Sequence, residues 1–279
     1  MSVISFFLDN KKHDFSVGDL QSFVVGKDEV LSQKETDVVY NQPWYKEGYT
    51  ESDFLNSDEF ESLKEGLTES VKKIIQQETS IQTEGFRLEN YHNYIKRDED
   101  HFKIVSRTRD LFSDDFNFPV MTLLPRLENI LNFKLSDIDP KTNGKMHIIV
   151  RINRPQSKDF NPPHKDVYHG VDIDNYIPLF VNFWIPVCGA TEKSNLPIVP
   201  GSHLLNEKTV LRTIGGGEIE GNKYRVCVIK SWNGKNELIR SSVKYGQALI
   251  FSSHLIHGLA LNDETNKTRV ALEFRLFKA

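Results

Sequence analysis

"GQALIFSSHLIHGLALNDETNKTRVALEFRLF", residues 246–277, decides how this chain folds. A glycine opens a short apolar run, His257 is followed by Gly258, an Asn-Asp turn interrupts the pattern, and Arg269 begins a second run. In that second run Val270, Leu272, Phe274 and Leu276 are apolar, while Arg269, Glu273 and Arg275 share the other parity with Ala271. Successive residues of a strand point to opposite faces. The apolar face should therefore pack against other elements, and the polar one should line a cavity.

The same texture reaches back to residue 145. "MHIIVRIN" (146–153), "LFVNFWIPV" (179–187), "YRVCVIK" (224–230) and "ALIFSS" (248–253) are strand signals, each bounded by Pro, Gly or Asn. Their spacing suits a β-barrel or a double-sheet jelly roll. Ahead of "DPKTNGK" (139–145) the chain reads mostly helical. Between Asn56 and Thr79, Phe60, Leu63, Leu67, Val71, Ile74 and Ile75 recur three or four apart, and "NSDE" (56–59) supplies an N-cap. A second helix is predicted from Leu124 to Leu131 with Pro125 in its first turn, and a third over 98–112. "IGGGEIEG" (214–221) has neither the GxGxxG spacing nor the Lys-Ser/Thr of a phosphate loop, and reads as a mobile connection or lid. The expected class is α+β, mainly β, as one domain over 1–279. Residues 1–140 would be a mainly helical support region and 141–279 the jelly-roll catalytic core.

Composition narrows the function classes. The 279 residues are 27% charged and 38% hydrophobic, enough for a substantial core without disulfides. A net charge of −4 leaves no basic surplus to neutralise nucleic-acid phosphates. The densest basic segment, "FKIVSRTR" (102–109), reads as a solvated helix face. Cys188 and Cys227 form no CxxC or metal spacing and suit buried thiols in a reducing compartment, a single disulfide between them being the alternative. The N-terminus lacks a signal-peptide pattern, and no apolar run is long enough to span a bilayer. The expectation is a cytoplasmic protein acting on a small-molecule substrate, with neither nucleic acid nor membrane as partner and an open oligomeric state.

"NPPHKDVYHG" (161–170) adds a His-x-Asp triplet, His164-Lys165-Asp166. Alone it means little: nine histidines and nineteen aspartates in 279 residues give about 0.6 such triplets by chance. Joined with His257 it means more. Two histidines and one carboxylate occupy one face of an Fe(II) octahedron and leave three positions open. The ferrous ion and Asp166 together carry +1, and a 2-oxoglutarate dianion brings the site to −1. Arg269 restores neutrality, with a planar fork suited to a carboxylate.

The combination of "PPHKD" (162–166), "NFWIPV" (182–187), "LPIVPGSH" (196–203) and "HGLALN" followed by Arg269 resembles the phytanoyl-CoA dioxygenase-like group of Fe(II)/2-oxoglutarate oxygenases. The pieces occur in the family's order over 145–277. The resemblance implies a cupin-like double-stranded β-helix, with iron held by His164, Asp166 and His257 and 2-oxoglutarate held by Arg269. Asn182 and Trp184, of one parity in their strand, would lie beside the co-substrate. Fe(II), 2-oxoglutarate and O2 would together hydroxylate an unactivated C–H bond, releasing succinate and CO2. Related halogenases carry a small residue in place of the carboxylate, so Asp166 points to hydroxylation or a similar oxidation.

Rival ligands remain to be placed. His254 lies three before His257, and in a strand that odd step puts the two on opposite faces. The family pattern favours His257. His203 closes "VPGSH" and is expected to orient the loop rather than ligate. In an extended segment His164, Asp166 and Tyr168 share one side, with Lys165 and His169 on the other, so Tyr168 becomes a substrate candidate. Arg151, Asn153 and Arg275 are further inward-facing candidates, suiting a small polar metabolite such as an amino acid, a sugar derivative or an acyl conjugate. Arg275 is also a second candidate anchor for the co-substrate, or else a partner of Glu273. Two other classes fit the same pattern: a non-catalytic jelly-roll binding protein, and a cupin metalloenzyme that does not use 2-oxoglutarate.

Overall fold

The computed structural model describes residues 2–19 and 21–279. Its principal sheet is antiparallel, in the order Tyr49–Asp53, Gln247–Ser252, Phe180–Cys188, Arg269–Lys278 and Leu135–Ser136, with Ile148–Asn153 also paired to Arg269–Lys278. Every residue of Phe180–Cys188 is buried, because both faces of this central strand are covered. Val181, Phe183, Ile185 and Val187 join Val270, Leu272, Phe274 and Leu276 in a core shared with the helices. Trp184 and Ala271, of the opposite parity, belong to a separate cluster on the inner face. The alternation visible in the sequence thus divides the sheet into a helix-packed side and a cavity side.

Helix Ser57–Glu78 covers the outer side. Asn56 accepts from the Glu59 backbone N–H while the Glu59 carboxylate accepts from the Asn56 N–H, so two otherwise unpaired donors are met. Its apolar stripe (Leu63, Leu67, Val71, Ile75) is fully buried in that core. At roughly 1.5–3 kcal/mol per side chain, this packing holds the helix far more strongly than its cap does. Helices Asp98–Arg107 and Leu124–Leu131 complete the layer, the latter closed by Asn132 in the left-handed region.

The opposing wall is built from shorter pairings. His164 and His257 form an antiparallel bridge, His257 also bridges Ile198, and the Ile229 N–H donates to the Pro163 carbonyl at 2.9 Å. Pro197–Ile198 pairs in turn with Glu237–Arg240. Two facing sheets of this kind make a double-stranded β-helix, mainly β, with helices on one side.

Three segments depart from the expectations. Residues 2–53 contain no α-helix among those described; Ser2–Leu8 and Lys11–Val17 form a hairpin instead. Asp9 and Asn10 both take positive φ at its two-residue turn, which matches the twist of the flanking strands. "IGGGEIEG" is no free lid: Gly217–Ile219 pairs with Asn222–Tyr224, and Ile219 pairs with Val17 of the hairpin. The Glu220 carboxylate fastens it further by accepting from the Ser16 N–H and hydroxyl. "YRVCVIK" is split, its start ending the strand Asn222–Tyr224 and its end opening Ile229–Trp232 in another sheet.

Candidate metal centre and its cavity

His164 and His257 are brought side by side by backbone pairing. The His164 N–H donates to the His257 carbonyl at 2.9 Å, and the His257 N–H donates to the His164 carbonyl at 3.1 Å. Gly258 makes this approach feasible. Its φ is +126°, and a Cβ there would stand 2.4 Å from the Pro162 carbonyl oxygen. Each imidazole is held at Nδ1 by a main-chain carbonyl, His164 by Pro162 at 2.7 Å and His257 by Leu255 at 3.0 Å. Nδ1 is therefore the donor, and the Nε2 lone pairs are directed inward.

Both Nε2 atoms lie 3.6 Å from an oxygen of Asp166. One ligand atom from each of the three residues can be chosen such that all lie within 4.8 Å of one another. Burial, with the neighbouring His257, lowers the His164 imidazole to about 3, so it stays neutral. Burial opposes the charge on Asp166, yet Arg275, followed by His257 and His164, outweighs it and holds the carboxyl below its usual range. Arg275 Nη2 donates to Asp166 Oδ1 at 2.7 Å, and Asn182 Nδ2 donates to Oδ2 at 2.9 Å. Two imidazoles oriented through their Nδ1 atoms, with Nε2 turned inward, and an ionised carboxylate form the donor set a divalent first-row metal accepts.

His254 sits elsewhere. The strand ends at Ser252 and the chain turns, so strand parity does not govern this histidine; its Nε2 meets the Thr36 carbonyl at 2.8 Å. His203 is buried against the Tyr45 ring, and His169 is exposed.

A cavity of about 40 Å³ opens beside the triad, lined in part by Arg109, Arg151, Asn153, Trp184, Arg269 and Glu273. Arg269 is buried, 5.7 Å from the Trp184 ring centre. Its Nη1 donates to the Ser194 carbonyl at 3.0 Å, its Nη2 donates to Asn153 Oδ1, and its Nε has no partner. Among the described residues it forms no ion pair with a carboxylate, and Glu273 acts on it only from a distance. Burial first, then Arg240 and Arg151, pull its pKa down to about 9. A buried cation left in this state is costly unless an anion joins it.

The other candidates are placed as follows. Arg151 forms a two-pronged pair with Glu273, at 2.9 and 3.1 Å, so its charge is already met. Asn153 is occupied with Arg269 and with the Asp159 carbonyl. Asn182 and Arg275 attend Asp166 rather than a co-substrate. Tyr168 lies outside the cavity: past Asp166 the chain turns instead of continuing extended, and the phenol donates to Glu207 at 2.7 Å within a second core. Lys165 is buried on the same Glu207, also at 2.7 Å. Arg109 was missed. Its segment reads as a helix face, and no local pattern reveals that the chain beyond the helix runs back along a strand edge.

A double-stranded β-helix with two imidazoles and a carboxylate converging inside it is the cupin-like architecture of metal-dependent oxygenases. The chain belongs to the phytanoyl-CoA dioxygenase (PhyH) family, whose profile matches residues 45–271. No curated protein sequence matches it. Among solved structures, it is similar to EctD from S. alaskensis, determined with 2-oxoglutarate and 5-hydroxyectoine. That match has 12% identity and a TM-score of 0.46, covering 95% of this chain and 86% of that one. The epimerase SnoN, in complex with Fe3+, alpha-ketoglutarate and nogalamycin RO, matches at 14% identity and a TM-score of 0.41, covering 85% and 81%. EvdMO1 matches at 16% identity and a TM-score of 0.47 over 86% of this chain, which spans only 50% of EvdMO1. Among the described residues, no helix is long and apolar enough to cross a membrane.

Proposed function

We propose that the chain is an Fe(II)- and 2-oxoglutarate-dependent dioxygenase that hydroxylates an unactivated C–H bond of a small polar metabolite. The observation that carries this reading is the convergence of His164, Asp166 and His257 on one point beside a buried arginine that lacks a counter-anion. His164, Asp166 and His257 would hold the metal, and the fork of Arg269 would take the distal carboxylate of 2-oxoglutarate. Once bound, iron and 2-oxoglutarate supply the oxidising power, with O2 consumed and succinate and CO2 released.

The protein's own part is positional. The Pro162 and Leu255 carbonyls fix the tautomer and aim of both imidazoles, so the ligands need no rearrangement to receive the ion. Arg275 and Asn182 keep Asp166 ionised and oriented. Asn153 and the Ser194 carbonyl hold Arg269 at two corners and leave Nε free toward a ligand. Trp184 and Leu196 add apolar walls, which exclude water and strengthen each polar contact inside.

The test is anaerobic loading with Fe(II), addition of 2-oxoglutarate and air, and measurement of succinate. Slow succinate release without prime substrate is expected, faster release with the right one, and none from His257→Ala. Tight metal binding without succinate across a broad substrate panel would instead favour a binding protein or a cupin of another chemistry.

A further inference from the structure

We propose that Arg109 is the recognition point for an oxyanion, a carboxylate or a phosphate, on the substrate of this cavity. Assigning that anion to a substrate rests on the oxygenase reading above; the anion site itself does not.

Arg109 is singled out by what its neighbours are already doing. Of the charged side chains lining the cavity, Arg151 is matched by Glu273, and Asp159 by Arg154. Arg269 is held at two corners and, on the reading above, awaits the co-substrate. Arg109 alone makes neither a hydrogen bond nor an ion pair among the described residues. It lines the same cavity as His164 and His257 and keeps part of its surface open to solvent.

Its position is nonetheless fixed. The Val150 N–H donates to the Thr108 carbonyl at 2.8 Å, and the Thr108 hydroxyl returns a bond to the Val150 carbonyl at 3.0 Å. Two residues beyond Arg109, the Leu111 carbonyl accepts from the Ile148 N–H at 2.7 Å. The backbone on both sides of Arg109 is therefore fastened to the strand whose Arg151 and Asn153 line the same cavity. Burial first and then the like charge of Arg151 act against the Arg109 guanidinium, and the more distant Glu273 and Asp159 carboxylates offset them only in part. Holding a guanidinium beside a like charge, with no carboxylate of its own, is unfavourable until an anion arrives.

The charge balance points the same way. With iron and 2-oxoglutarate bound, Asp166 and Arg269 bring the centre to neutrality, and Arg151 cancels Glu273. Arg275 is already tied to Asp166 by a hydrogen bond at 2.7 Å, whereas Arg109, among the described residues that line the cavity, has no such partner and can meet a substrate. Its planar fork matches two oxygens of a carboxylate or phosphate.

The test uses the full chain without metal, titrated with acetate and, in a separate arm, with inorganic phosphate, each followed by calorimetry. Wild type should saturate with at least one anion, and the arm that does so identifies the chemistry. R109Q should bind it about tenfold more weakly or worse, the loss expected for one charged hydrogen-bond donor. R109K should fall between, keeping the charge without the fork. R269Q should keep this binding while losing 2-oxoglutarate. Because Arg109 has no internal partner, R109Q should unfold at the wild-type Tm, which separates loss of the site from loss of the fold. No saturation of wild type, binding that survives R109Q, or binding abolished by R269Q alone would each overturn the proposal. Intact anion binding in a protein that never forms succinate would sink the oxygenase reading and leave the anion site standing.

Discussion

Gly258→Ala should disable the metal centre without touching any ligand. At φ +126° only glycine is comfortable, and another residue there costs roughly 1–3 kcal/mol. The new Cβ would also lie 2.4 Å from the Pro162 carbonyl oxygen, 2.9 Å from its carbon and 3.1 Å from Pro163 Cα. All three are backbone atoms, which cannot swing aside. Ordinary contact begins at 3.4 Å, so a shortfall of 1.0 Å must open between the segments carrying His164 and His257. Their two mutual N–H···O bonds, now 2.9 and 3.1 Å, would stretch past hydrogen-bond range, at about 1 kcal/mol each. Summed, the variant should lose roughly 3–5 kcal/mol of stability. Since the bridge sets the spacing of the imidazoles, ferrous-iron affinity should fall at least about tenfold. Gly221→Ala is the control: φ is +75° but nothing lies within 4 Å, so strain appears without a clash. It should cost about 1–2 kcal/mol and leave metal binding unchanged. Urea unfolding and anaerobic iron titration measure both variants. Wild-type iron affinity in Gly258→Ala, within twofold, would refute the account of how the two histidines are joined.

Further outcomes follow from the same geometry. Arg275→Met removes the 2.7 Å donor to a carboxylate whose side chain is 2% exposed, and should cost roughly 1–3 kcal/mol in the metal-free protein. A divalent ion should restore much of that loss, so thermal melts with and without metal should differ more for this variant than for wild type. His101 is buried between Tyr91 and Asp159, and burial pulls its pKa to about 4 from an unfolded value of 6.5. The unfolded chain therefore takes up the proton first, so stability is full above pH 6.5 and drains away toward pH 4, by up to about 3 kcal/mol from this residue. His101→Gln should flatten that slope in urea titrations across the window; an unchanged slope would clear His101 of the effect. Asn56→Ala breaks the capping box of the Ser57–Glu78 helix and should cost about 1 kcal/mol by urea unfolding, with metal affinity unaffected.

Local pattern and long-range pairing divided the structure between them. The alternation in "RVALEFRLF", the capping signature at Asn56 and the helical stripe from Phe60 to Ile75 were legible from sequence, because strand and helix periods act within a few residues. The ligand types were legible too, as chemistry requires neutral imidazoles and a carboxylate. The N-terminal hairpin was not, although "DN" at residues 9 and 10 supplied a turn signal. Nor was the strand within "IGGGEIEG", whose only local cue was glycine.

Sequence by itself determined which way side chains point within an element. Tertiary structure alone decided what each one meets. Arg275 faces Asp166 because its strand passes behind the His-x-Asp segment. Tyr168 turns into a different core because the chain bends after Asp166. Arg109 reaches the cavity because the backbone beyond its helix is fastened to Ile148 and Val150. Each outcome depends on segments far apart in the chain, and on which charges are left without a partner once burial has removed water as an alternative.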